Sequence, residues 1–258
     1  MEQLLIQVEI LWPALLAGLI VLTTHVPLGR EVLQRGIIFL DLAIAQMAAF
    51  GVVVANLIWL DEPAYFSQTL VAIATAIAGS MGLYSLRKLE IKVQEAIIGI
   101  LFILAATGSI LLLAADPNGS ERLKEILVGQ ILWLQPKELV PLALAYAAIL
   151  TIWYSLRKRV GAWLFYPLFA ITITLSTQVV GVYLVFASLI IPSLVTLYQQ
   201  NPLVKSFALG IVGYGSGLVI SALLDLPAGA AIVWCLAIVA IGYYVLCKLY
   251  TRKIIVIG

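Results

Sequence analysis

Four polar side chains interrupt long apolar stretches of this sequence: His25, Asp41, Gln46 and Glu95. A carboxylate and an imidazole one helical turn apart can pass a divalent cation between them, because their lone pairs replace the ion's water. An ionisable group at membrane depth is costly, so each is a candidate for a transport pathway or for a buried pair. Asp41 and Gln46 are five residues apart, about 140° around a helix, and make a poor chelating pair. Asp41 has a plain alternative, an ion pair with Arg35 or Arg87 at the membrane surface. Glu95 has one too, compensation of its own helix's N-terminal dipole. His25 is the only histidine, and a lone histidine on an apolar face is more often hydrogen-bonded filling than a ligand. A metal site gathers several His, Asp, Glu or Cys groups. The sequence is poor in such clusters, so no resident metal or cofactor is expected.

The elements that must hold these residues follow from composition. The chain has 258 residues, 63% hydrophobic and 11% charged, with a mean hydropathy of +1.11. A soluble domain carries about 25% charged residues. With 15 Lys+Arg and 13 Asp+Glu, a water-facing surface cannot be built. The lipid bilayer is the solvent, which excludes a soluble enzyme, a disordered chain and a nucleic-acid binder. G-x-x-x-x-G-K-[ST], H-E-x-x-H, G-x-S-x-G and C-x-x-C motifs are all missing, so the chain is not expected to be an enzyme or to hydrolyse ATP itself. Cys235 and Cys247 are about 18 Å apart if on one helix and cannot pair. Met1 to Glu9 is acidic where a signal peptide needs basic residues, so the first segment is expected to stay.

A spanning helix needs roughly 20 mostly apolar residues. That rule predicts Ile10–Leu28, Gly36–Leu60, Tyr65–Leu86, Gln94–Ala115, Glu138–Leu156, Ala162–Val180, a shorter Gly181–Tyr198, Val204–Leu224 and Ala228–Leu249. The chain reads as all-α, a single polytopic transmembrane bundle over residues 1–258 with about nine spans. The pair meeting at Gly181 also fits one broken helix with a re-entrant partner, which would give eight. With the N-terminus outside, the inner loops and tail hold Arg30, Arg35, Arg87, Lys88, Lys92, Arg157, Lys158, Arg159, Lys205, Lys248, Arg252 and Lys253. Only Arg122, Lys124 and Lys137 fall outside, while Asp61, Glu62, Asp116, Glu121, Glu125 and Asp225 are among the outer acids. Positive charge gathers on the inner face of membrane proteins, so the C-terminus is expected inside. Leu123, Ile126, Leu127, Ile131 and Leu134 predict an amphipathic surface helix over Ser120–Leu134. Gly210, Gly213 and Gly217 mark close helix packing, within the bundle or between copies.

Four stretches carry a family resemblance: Pro27-Leu28-Gly29 leading to Gln46, Gln94-Glu95-Ala96-Ile97-Ile98-Gly99-Ile100, Val180-Gly181-Val182-Tyr183-Leu184-Val185-Phe186 leading into Leu189-Ile190-Ile191-Pro192, and Leu226-Pro227-Ala228-Gly229. In this order the chain resembles the membrane-spanning permease subunit of ABC importers for zinc, manganese and iron. The resemblance implies a homodimer in a bacterial inner membrane, cytoplasmic ATPase subunits, an extracytoplasmic metal-binding protein, and a divalent metal as cargo. It also implies an aspartate four residues before a histidine in the second span. Counted from Pro27, those positions hold Leu42 and Gln46, and Asp41 is one place off. The family's acidic coupling segment between spans five and six is replaced by Arg157-Lys158-Arg159-Val160-Gly161. The alternative is a non-transporting accessory subunit of another membrane complex. A weaker one is transport of an uncharged or organic solute.

Overall fold

The computed structural model describes residues 2–58, 65–114 and 116–257, with side chains over 9–58, 66–114, 116–161 and 163–249. Met1, Leu60, Asp61, Glu62 and Ala115 lie outside the described residues, as do the side chains of Glu2, Arg252 and Lys253.

Apolar runs with no water to bond their backbone must close every hydrogen bond within themselves, which a helix does. The described elements are accordingly helices: α1 (Glu2–Arg35), α2 (Leu40–Ile58), α3 (Tyr65–Ser85), α4 (Ile91–Leu113), α5 (Gly119–Val128), α6 (Pro136–Val160), α7 (Ala162–Val180), α8 (Val182–Val195), α9 (Pro202–Leu224) and α10 (Ala228–Ile257), with a 3-10 turn at Ile131–Trp133 between α5 and α6. Of the nine expected spans, eight are long and apolar enough to cross a membrane. The exception is α8. Its 14 residues reach about 21 Å, short of a hydrocarbon core of about 30 Å. It survives because protein surrounds it: Val182, Leu184, Val185 and Leu189 are buried, and it packs against α1, α9 and α10.

Cross-links fix which ends lie together. At one end, Arg35 of α1 sits 4.4 Å over Phe165 of α7, Tyr84 of α3 meets Tyr166 of α7 edge-on, and Thr196 beyond α8 bonds Ser206 of α9 at 2.6 Å. This is the basic end. At the other, the turn after α5 lies against the α7–α8 joint and Val128 abuts Gly229 of α10. In between, hydroxyls are satisfied locally: Thr172, Thr174, Ser176 and Thr177 donate to carbonyls four residues earlier at 2.7–2.8 Å. Tyr146 and Ser176 join α6 to α7 across 2.5 Å.

Two expected elements differ. The amphipathic helix stops at Val128, because Gly129 takes φ +76°, and a 3-10 turn replaces its last turn. Glu138 then accepts the Gln135 N–H at 3.1 Å, and Pro136 starts α6. The span expected to end at Leu156 runs on as helix to Val160, carrying Arg157, Lys158 and Arg159 in its last turn. Only Gly161 separates it from α7.

The α9 glycines seat neighbouring helices of the same chain. A Cβ on Gly213 would strike Leu236 and one on Gly217 the backbone of Ile232, both in α10; one on Gly210 would press Leu22 of α1.

Candidate substrate cavity

Asp41 stands in the first turn of α2 and is fully buried. Neither carboxylate oxygen has a hydrogen-bond partner. The N–H groups of Asp41 and Leu42 lie beside it without bonding geometry, so the positive end of the α2 dipole is its main support. The expected ion pair is corrected, since both guanidinium groups are engaged elsewhere. Arg35 donates to Glu31 at 2.6 and 2.9 Å, and Arg87 stacks 3.9 Å over Tyr84.

Glu95 lies in the second turn of α4 and does not compensate its own helix. Its Oε1 accepts the N–H of Ile38 at 3.1 Å, tying α4 to the turn that leads into α2. His25 is fully buried in α1, with Nδ1 2.9 Å from the Val21 carbonyl and 3.3 Å from Thr24 Oγ1. A carbonyl can only accept, so Nδ1 carries the proton. Nε2 has no partner among the described residues. The structure does not bring His25, Asp41 and Glu95 together around one space.

The space that exists belongs to Gln46 and Leu42. Four residues apart, they share one face of α2 and line a cavity of about 620 Å³ walled also by α4, α5, α8 and α10. Phe102, Leu127 and Phe186 give it an apolar surface. Gln46 and Tyr183 are its polar lining residues, and no charged side chain reaches it among the described residues. Asp41, about 100° away around α2, does not line it.

A second space of about 330 Å³ lies on the other face of α2, against Ala48, Ala49 and Val52. Its polar lining includes Gln68, Thr69, Glu125, Gln130 and Gln178. Thr69 donates to Gln178 at 3.1 Å and Gln68 to Asn56 at 2.6 Å. Sequence reasoning missed this cluster. Its members come from α2, α3, α5 and α7, and no linear spacing joins them. Helix α5 roofs both spaces, lending Leu123 and Leu127 to the first and Glu125 and Ile126 to the second.

Chemically, the larger cavity offers an amide and a phenol to whatever enters. Zinc takes four N, O or S ligands and calcium-like ions six or more oxygens. Among the described residues no group of three His, Cys, Asp or Glu side chains could hold a metal. Such walls suit a solute that keeps its own polar groups covered.

Among the described residues, eight helices long and apolar enough to cross a membrane, with the shorter α8 running between the same two ends, define a polytopic membrane protein of the permease class. The model of the ABC 3 transport family matches residues 7–167 and 154–246, and the chain belongs to that family. The family is one of ABC transporter permeases, so the chain is of the membrane-spanning subunit type. Two solved structures share the fold. PsaBC from Streptococcus pneumoniae, in complex with a Fab, is 22% identical with a TM-score of 0.71, covering 90% of each chain. A metal-chelate type ABC transporter in an inward-facing conformation is 19% identical with a TM-score of 0.68, covering 90% of this chain and 84% of the other.

Proposed function

We propose that this chain is the transmembrane subunit of an ABC importer for divalent metal (zinc, manganese or iron), and that the metal crosses while covered by its own organic ligands. The observation carrying this reading is the cavity wall: Leu42 and Gln46 stand where the resemblance implies an aspartate and a histidine, and Asp41 lies outside it. A cavity of about 620 Å³ is in the range that holds small organic ligands. The similarity to a metal-chelate type transporter supports the same cargo. The working unit is a homodimer in a bacterial cytoplasmic membrane, N-terminus out and C-terminus in, with ATPase subunits on the basic end and an extracytoplasmic metal-binding protein on the other. Of the four polar candidates, Gln46 contacts the cargo. Glu95 ties α4 to the turn before α2, whereas Asp41 and His25 bond no other helix among the described residues and do not line the cavity.

A second reading, the non-transporting accessory subunit, draws on α6. Its unbroken run into Arg157–Lys158–Arg159 leaves no separate segment there for an ATPase to grip. Purification from native membranes separates the two: co-purifying ATPase subunits whose hydrolysis is stimulated by chelated metal support the importer. Unrelated membrane subunits and no ATPase support the accessory role.

A further inference from the structure

A third cavity, of about 210 Å³, opens at the basic end between α1, α6 and the start of α9. Arg30 of α1 and Arg157 of α6 line it, with Glu31, Gln34, Trp153, Tyr154 and Leu203. Arg30 stands five residues before the end of α1 and Arg157 three before the end of α6, the depth of the lipid headgroups when both helices cross. Arg30 Nη1 is buried and has no partner among the described residues. The one acid lining the cleft among the described residues, Glu31, is already gripped by Arg35. A guanidinium N–H withdrawn from water without an acceptor is unfavourable, and a phosphate oxygen would complete it. Arg157 is exposed and stacks 5.1 Å over Tyr154, a ring type that settles at the membrane interface. Trp153 and Leu203 give the cleft an apolar floor.

We propose that this cleft binds the phosphate group of an anionic membrane lipid. Two arginines from different helices supply the forked donors that phosphate geometry matches, and basic clefts between membrane helices hold such headgroups. The site rests on the membrane-spanning character of the chain and not on its cargo.

Native mass spectrometry and thermal unfolding of the detergent-purified full chain test it, with phosphatidylglycerol, phosphatidylcholine and inorganic phosphate as probes. Phosphatidylglycerol is expected to be retained and to raise the unfolding temperature, and phosphatidylcholine is not. Arg30→Gln and Arg157→Gln should each weaken retention about fivefold, the effect of one basic residue near an anionic surface. Arg30→Lys should keep most of it, and Arg159→Gln all of it. Arg157 is exposed, so its variant reports even if Arg30→Gln folds poorly. Equal retention of both lipids, or Arg157→Gln retention matching the unaltered protein, overturns the site. Protection by inorganic phosphate equal to that by phosphatidylglycerol overturns the lipid as its source.

Discussion

Asp41 and Leu42 are neighbours in the chain and about 100° apart on α2, and that angle decides which of them meets the cavity. Asp41 is buried among protein with two unpartnered oxygens. Support from a helix dipole reaches about 2 kcal/mol at best, while burying an unpaired charge costs several. Asp41→Asn keeps the shape and removes the cost of burying or neutralising a carboxylate, so it is expected to raise stability by about 1–3 kcal/mol, read from thermal unfolding in detergent. Glu95→Ala should act in the opposite sense, because the Ile38 N–H would lose its acceptor. A loss of about 1.5–3 kcal/mol is expected, with Glu95→Gln retaining most of the bond. That both carboxylates stand near the starts of long apolar helices was readable from sequence. Their surroundings were not, because Arg35 finds Glu31 one turn back on its own helix and Glu95 reaches across 57 positions of chain to Ile38.

At the scale of elements, the α5–α8 contact depends on two glycines meeting backbone to backbone. Gly129 and Gly181 have φ of +76° and +80°, and a Cβ on either would overlap the other's strand of backbone. Gly129→Ala and Gly181→Ala are each expected to destabilise by about 2 kcal/mol or more, from left-handed strain and lost approach together. Gly99→Ala, in α4 with open space around it, should be neutral or stabilising by up to about 1 kcal/mol; denaturation of the three variants side by side gives the comparison. The eight long helices were legible because twenty apolar residues leave the backbone few choices in lipid. The early end of α5 was not, since Ile131 and Leu134 continue the helical spacing past Gly129, and only the approach of Gly181 fixes the turn. Nor did sequence show α6 running on through its three basic residues, because a helix end reads as polar whether it stops or continues into water.

For the whole molecule, the gathering of basic residues at one end sets a direction that labelling can read. With Cys235 and Cys247 replaced by alanine, a cysteine at Tyr198, which is 95% exposed at the basic end, should react with a membrane-impermeant maleimide only after permeabilisation. One at Asp225 should react in intact cells. The reverse pattern would invert the assembly proposed above. Family membership was legible from motifs spread over nearly the whole chain, whereas the cavity was not, because five helices contribute its walls and only α2 carries a recognisable pair of positions. The claim on which the account turns is that a ligand-shielded metal passes a neutral wall at Gln46. Its most direct measurement is accumulation of radiolabelled metal, free and chelated, by vesicles holding the chain with its ATPase and binding partners, compared with Gln46→Trp, which fills the cavity. Chelated metal should accumulate in preference to the free ion and fall about tenfold or more in the variant. Free ion entering as fast as the chelate, and undiminished in Gln46→Trp, would contradict it.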